Sequence, residues 1–164
     1  MNKNESASDF LLRLKRDLID FVNTTLDAAA KSIELSEGEV ISIDVPLMGH
    51  TAFFKGRKPT AVIFPNGTEA ETPKWKSVAQ AIIQDCIQSP DRYEYLLSLR
   101  GKISGKNRTL LSATPDNMDS PLLVAEGLYL ESKFDTETLL NVLLDRVLKP
   151  VGYDASGILI RVKL

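Results

Sequence analysis

Among 164 residues there is one cysteine, Cys86, and one histidine, His50. No intramolecular disulfide can form, and no zinc site of the Cys/His kind can be assembled within one chain. Long hydrophobic runs are missing too. Apolar stretches such as LLVA at 122–125 and GILI at 157–160 fall far below the roughly 18 residues that a membrane span needs, so no transmembrane segment is expected. The opening MNKNESASDF lacks the charged start, apolar middle and small-residue cleavage site of a secretory signal, and the expected location is the cytoplasm. Nor does one sign of charge dominate: 20 Lys and Arg stand against 22 Asp and Glu, a net charge of −2. That balance argues against a protein that is basic all over, as many obligate nucleic-acid binders are.

What is present is an ordinary globular composition, 43% hydrophobic and 26% charged, with enough apolar material for one core. From Ser8, a plain N-cap residue, Leu11, Leu14, Leu18, Phe21, Val22, Leu26, Ala29, Ala30 and Ile33 recur at steps of three and four. This spacing predicts a long amphipathic helix over residues 8–33. Its stripe is apolar enough to need a partner, either a sheet or a second copy of itself in a homodimer. Residues 1–35 are therefore set apart from a single α+β domain over 36–164.

In that domain EVISIDV at 39–45 alternates like a half-buried strand closed by Pro46, and TAFF at 51–54 reads as a second extended piece. TAVIF, PNGT and EAET form a hairpin signal in which Asn66-Gly67 supplies residues that tolerate a tight turn. Thr72 is the expected N-cap of the next helix, with Pro73 at its first position and Trp75, Val78, Ala79, Ile82, Ile83 and Cys86 on its apolar face. Ser89-Pro90 starts a shorter helix to about Leu99. Strands follow at 109–112, at LLVA and at GLYLES, the last two joined at Glu126-Gly127. Asp135 caps a helix ended by Pro150 and Gly152, and ILIRVKL closes the chain as a strand. The order predicts α+β architecture, a mixed β-sheet with helices mainly on one face.

Cys86 falls on an apolar stripe and reads as a small buried hydrophobe; His50 lies in a loop with no motif around it. The basic residues are less evenly spread than their number suggests. RGKISGKNR at 100–108 carries Arg100, Lys102, Lys106 and Arg108 with no acid, and FFKGRK at 53–58 adds Lys55, Arg57 and Lys58. Two local patches on an acidic chain suit phosphate contacts, and a solvated loop accounts for the same composition.

Two resemblances can be named from particular residues. Pro115-Asp116 before one strand and Glu131-Ser132-Lys133 at the end of the next, in the order helix, strand, strand, strand, helix, strand, resemble the core of the PD-(D/E)xK nuclease superfamily. That resemblance implies a magnesium site on Asp116 and Glu131, with Lys133 orienting the attacking water. Read as a strand with Leu128 and Leu130 facing the core, the same segment puts Tyr129, Glu131 and Lys133 on a polar outer face. Over about residues 50–163, Phe54 and Gly56, Gly67, Trp75, Val78, LYLES and the closing GYDASGI resemble an uncharacterised bacterial domain similar to those at the C-terminal ends of phage and mobile-element proteins. It implies an accessory module near DNA-processing or defence machinery and carries over no catalytic residue.

The leading expectation is a non-enzymatic interaction module acting on a nucleic-acid or nucleoprotein partner through Lys55, Arg57, Lys58, Arg100, Lys102, Lys106 and Arg108. No cofactor or metal is expected; magnesium enters only with the nuclease alternative. A third reading is a protein-binding adaptor or dimer built on residues 8–33.

Overall fold

The computed structural model describes residue 8, residues 11–13, 15–17 and 19–20, and residues 41–103 and 109–164. By its internal contacts the chain divides into two compact units, Met1–Glu39 and Val40–Leu164. In the first, the described residues between Ser8 and Asp20 are helical, and Leu11, Leu12 and Ile19 are exposed. The rest of the helix expected over 8–33, with Leu14, Leu18 and Phe21 of its stripe, lies outside the described residues.

The second unit runs β1 (Ser42–Pro46), a 3-10 turn (Thr51–Phe54), β2 (Lys58–Ile63), β3 (Glu69–Glu71), α1 (Trp75–Cys86), α2 (Pro90–Ser98), β4 (Leu111–Ser112), β5 (Pro121–Ala125), β6 (Leu128–Glu131), α3 (Thr136–Val142) with a π-helical continuation (Leu143–Leu148), and β7 (Leu159–Lys163). It is α+β, but the single mixed sheet expected from the strand count is replaced by two antiparallel ones. Their orders are β1-β7-β2-β3 and β4-β6-β5. β2–β3 and β5–β6 are hairpins, and β7 enters antiparallel between β1 and β2. Among the described residues no hydrogen-bonded neighbours are parallel, the arrangement that needs a crossover connection.

Helix α1 explains why there are two sheets. Val78, Ala79, Ile82, Ile83 and Cys86 are all fully buried, and the helix packs against both β2 and β5. Each buried Val or Ile side chain contributes about 1.5–3 kcal/mol relative to an exposed one, so the element holding five buried positions fixes the layer order. α1 thus contacts a strand of each sheet. Two side chains align it along β5, the Lys76 ammonium donating to Ser120 Oγ at 2.7 Å and the Gln80 amide to the Leu123 carbonyl at 3.1 Å.

TAFF is a 3-10 turn and not a strand. Phe53 N–H donates to the His50 carbonyl at 2.9 Å, and the tight turn drives Phe54 into the core, 5.3 Å from the Trp75 ring. α1 also starts later than expected, with Lys74 as its N-cap. The Thr72 N–H still donates to the Thr60 carbonyl at 2.9 Å, so residue 72 belongs to the sheet and the helix begins once Pro73 has turned the chain away. The Thr72 hydroxyl is buried and has no hydrogen-bond partner among the described residues.

Elsewhere the local signals hold. Asn66 Oδ1 accepts from Thr68 N–H at 2.9 Å in the β2–β3 turn. Gly127 turns β5 into β6 with φ +63°, and a Cβ there would stand 3.3 Å from Arg100 Nη1. On the open face of the larger sheet, Arg161 on β7 binds Asp44 on β1 at 2.7 and 3.0 Å and Glu69 on β3 at 2.6 Å.

Asp135 caps α3, accepting from Thr138 N–H at 3.0 Å and from the Thr138 hydroxyl at 2.7 Å. The Thr138 side-chain bond, then its backbone bond, hold the Asp135 carboxyl below the usual range, and nearby Lys55 lowers it further. A carboxyl depressed in the folded state contributes stability above its unfolded value, near pH 4, and loses it as pH falls through the folded value. Urea denaturation of the wild type and Asp135→Ala should therefore show a stability gap that is full at neutral pH and narrows below about pH 4.

Candidate functional site

Glu131 ends β6 with its side chain fully buried. Its carboxylate accepts three backbone N–H bonds, from Asp119 at 2.6 Å, Ser120 at 3.0 Å and Lys133 at 2.8 Å. The polar outer face expected for Tyr129, Glu131 and Lys133 does not include Glu131. At the last residue of a strand the chain leaves the pleat, and the carboxylate turns in to collect the amides of the 119–120 loop. Asp116 is exposed in its turn, and Lys133 pairs on the surface with Asp119 at 3.5 Å. The acid at the centre of the nuclease pattern is thus engaged in tying the open end of the β5–β6 hairpin. No group of three His, Cys, Asp or Glu able to hold a metal converges among the described residues.

Cys86 is buried, and burial pushes its thiol up to about 11, so it stays protonated at neutral pH. His50 is exposed, with Nδ1 3.0 Å from the Met48 carbonyl.

The described basic residues of the two segments stand at opposite ends of the β5–β6 hairpin. Arg100 reaches its turn, donating from Nη1 to the Gly127 carbonyl and from Nε to the Leu97 carbonyl, both at 2.8 Å. Lys102 is exposed beside it, and Lys106 and Arg108 lie outside the described residues. The 53–58 segment belongs to the other end, where the Arg57 carbonyl accepts from Trp75 Nε1 at 2.9 Å and Lys76 meets Ser120 just ahead of β5. Five strand residues, about 16 Å at the usual rise, separate those ends. Arg100 and Lys102 therefore stand apart from Arg57 and Lys58.

The fold gathers other lysines around the second end instead. In the ladder between β2 and β7, Lys58 is directly opposite Lys163. Both line a cleft of about 230 Å³ with Pro59, Thr60, Glu71 and Pro73. Pro73 leads straight into the N-cap Lys74, whose side chain makes no capping bond, and the first turn of α1 contains Lys76 and no acid. Like charges directly opposed across a sheet are destabilising, and so are cations at the positive end of a helix dipole, by a few tenths to about 1 kcal/mol each. Both costs fall when an anion sits between them.

The aromatic rings of this region are already covered. Arg57 lies over the Phe53 ring, its guanidinium carbon 3.9 Å from the centroid, and donates to the Phe53 carbonyl; Phe54 is fully buried and packs on Trp75. No ring here is left as a stacking platform for an unpaired base. The arrangement is a cluster of cations around a cleft that Glu71 also lines.

Of the expected residues, Lys58 lines this cleft and Arg57 meets Trp75 beside it, whereas Lys55 lies near Asp135. Lys74, Lys76 and Lys163 were not anticipated. PKWK carried a readable signal, two lysines flanking a helix start, but the Lys58–Lys163 opposition depends on register between distant segments. Compared with family models, with curated proteins and with solved structures, the chain matches none.

Replacing Glu131 with Gln removes the charge that three buried N–H groups face and turns an amide NH₂ toward donors. Glu131→Gln should lower the unfolding free energy by about 2–4 kcal/mol in denaturant titration, whereas Asp116→Asn, on an exposed turn, should leave it within about 0.5 kcal/mol.

Proposed function

We propose that this chain is a non-enzymatic interaction module whose α+β unit grips the phosphate backbone of a nucleic acid, bare or within a nucleoprotein. The gripping residues are Arg57, Lys58, Lys74, Lys76 and Lys163 around the start of α1. The observation that supports this reading above others is the direct opposition of Lys58 and Lys163. Two rungs of the same sheet face make the contrast: Asp44 is opposite Arg161, a complementary pair, while the Lys163 rung holds two like charges. Arg100 and Lys102, at the far end of the hairpin, can meet a second stretch of the same backbone.

Contacts of this kind position a ligand without reading its sequence. Binding is then weakly sequence-specific and strongly salt-dependent, each phosphate contact adding about 0.9 to the slope of log affinity against log salt. Lys163→Glu separates function from folding in one variant. It turns the like-charged pair into an attractive one, so the free protein should gain about 0.2–1 kcal/mol of stability. Its affinity for a labelled duplex, read by fluorescence anisotropy across a salt series, should fall, and the salt slope should drop by about 1 or more. If Lys163→Glu and Lys58→Glu both bind as the wild type does, or if the wild type does not bind at low salt, the reading is wrong.

A further inference from the structure

The cleft between Lys58 and Lys163 also holds a carboxylate. Glu71, the last residue of β3, lines it together with both lysines and Thr60. Register puts it there. Glu71 is opposite Ala61, and Ala61 is opposite Arg161, two residues before Lys163 on β7. Side chains alternate along a strand, so Glu69 and Glu71 on β3 share the open face of the sheet with Arg161 and Lys163. One strand across and two residues along, the Cα atoms of Glu71 and Lys58 are about 8 Å apart by the usual strand spacing and rise.

The neighbouring charges leave Glu71 over. Arg161 donates to Asp44 at 2.7 and 3.0 Å and to Glu69 at 2.6 Å, and not to Glu71. The Thr60 hydroxyl gives its proton to the Arg161 carbonyl at 3.3 Å. Among the described residues the Glu71 carboxylate makes no hydrogen bond and no ion pair.

Such a carboxylate opposes the grip proposed for its neighbours. A phosphate drawn to Lys58 and Lys163 brings negative charge toward Glu71, a cost that is offset when the ligand also brings a hydrogen-bond donor. Backbone chemistry limits what that donor can be. The DNA backbone, phosphate and deoxyribose, has acceptors alone. RNA adds one hydroxyl per nucleotide, the 2′-OH, which donates as well as accepts. Donors on the bases vary with sequence and face the grooves of a duplex, away from the backbone that the lysines hold. Ribose hydroxyls are met by a carboxylate in dinucleotide sites for the same reason.

Resting on the phosphate grip at the start of α1, we infer that the nucleic acid held there is RNA, with Glu71 accepting a hydrogen bond from the ribose 2′-OH beside the phosphate between Lys58 and Lys163. Cations alone cannot make this distinction, because the phosphates of RNA and DNA are the same. The acid supplies it.

Two RNAs of one sequence test the assignment, one natural and one with fluorine in place of every 2′-hydroxyl, which keeps the RNA sugar pucker and removes the donor. Each is labelled and titrated with the full chain at low salt by fluorescence anisotropy, with EDTA present so that no divalent cation bridges Glu71 to phosphate. The natural RNA should bind roughly tenfold tighter than the fluorinated one, the effect of one hydrogen bond to a charged group. Glu71 is exposed on an edge strand, so Glu71→Ala should melt within a few degrees of the wild type. That variant should bind the fluorinated RNA more tightly than the wild type does and hold the two RNAs within about twofold of each other. A carboxylate that only repels phosphate would shift both affinities alike and leave their ratio unchanged. An unchanged ratio in Glu71→Ala, or equal binding of the two RNAs by the wild type, therefore overturns the assignment and leaves the phosphate grip standing. Failure of both RNAs to bind the wild type overturns the grip and the assignment together.

Discussion

Both sheets of the α+β unit bury against one helix. α1 has Val78, Ala79, Ile82, Ile83 and Cys86 out of water, with β2 on one side and β5 on the other. Its apolar face is therefore covered, while Lys76 near its start and Gln84 near its finish stay exposed. Each end is pinned by one hydrogen bond from a large ring: Trp75 Nε1 to the Arg57 carbonyl at the start, and the Tyr153 hydroxyl to Asp85 at the finish. Both rings are half-buried, and each finds a partner for its polar atom.

Electrostatic cost separates structural charges from candidate functional ones. Arg161 satisfies Asp44 and Glu69 on the open face of the larger sheet, and Glu131 satisfies three amides at the end of β6. Those groups stabilise the free protein and need no ligand. Lys58 opposite Lys163 and Lys74 at the positive end of α1 run the other way. Each costs a fraction of a kcal/mol where it stands, and natural sequences keep such conflicts mainly at sites of function.

Much of the scaffold could be read from the sequence because its signals are local. Pro121–Ala125 and Leu128–Glu131 are the strand pair that LLVA and GLYLES announced, joined at Glu126-Gly127; Asp135 caps its helix as its position before an apolar stripe suggested. What failed depended on distance. Thr72 has the chemistry of an N-cap, yet its N–H is held by Thr60 across the sheet, and the cap passes to Lys74. Glu131 follows the alternation that puts charge outside, yet the 119–120 loop offers it amides that no pattern within GLYLES reveals. TAFF has strand composition, yet burying Phe54 against Trp75 requires a turn. The candidate site splits in the same way. Lys55, Arg57 and Lys58 were visible as a run, whereas Lys163 meets Lys58 only once β7 is threaded into place.

The phosphate cradle at the start of α1 is the central claim, and amide chemical shifts test it most directly. In a titration of the ¹⁵N-labelled chain with a short DNA duplex at low salt, the largest changes should fall on Lys58, on Thr72 and Lys74 to Lys76, and on Lys163, and they should fade as salt is raised. Changes centred instead on Gly101 to Ile103 with the α1 start unmoved, or no changes at any duplex concentration, would contradict it.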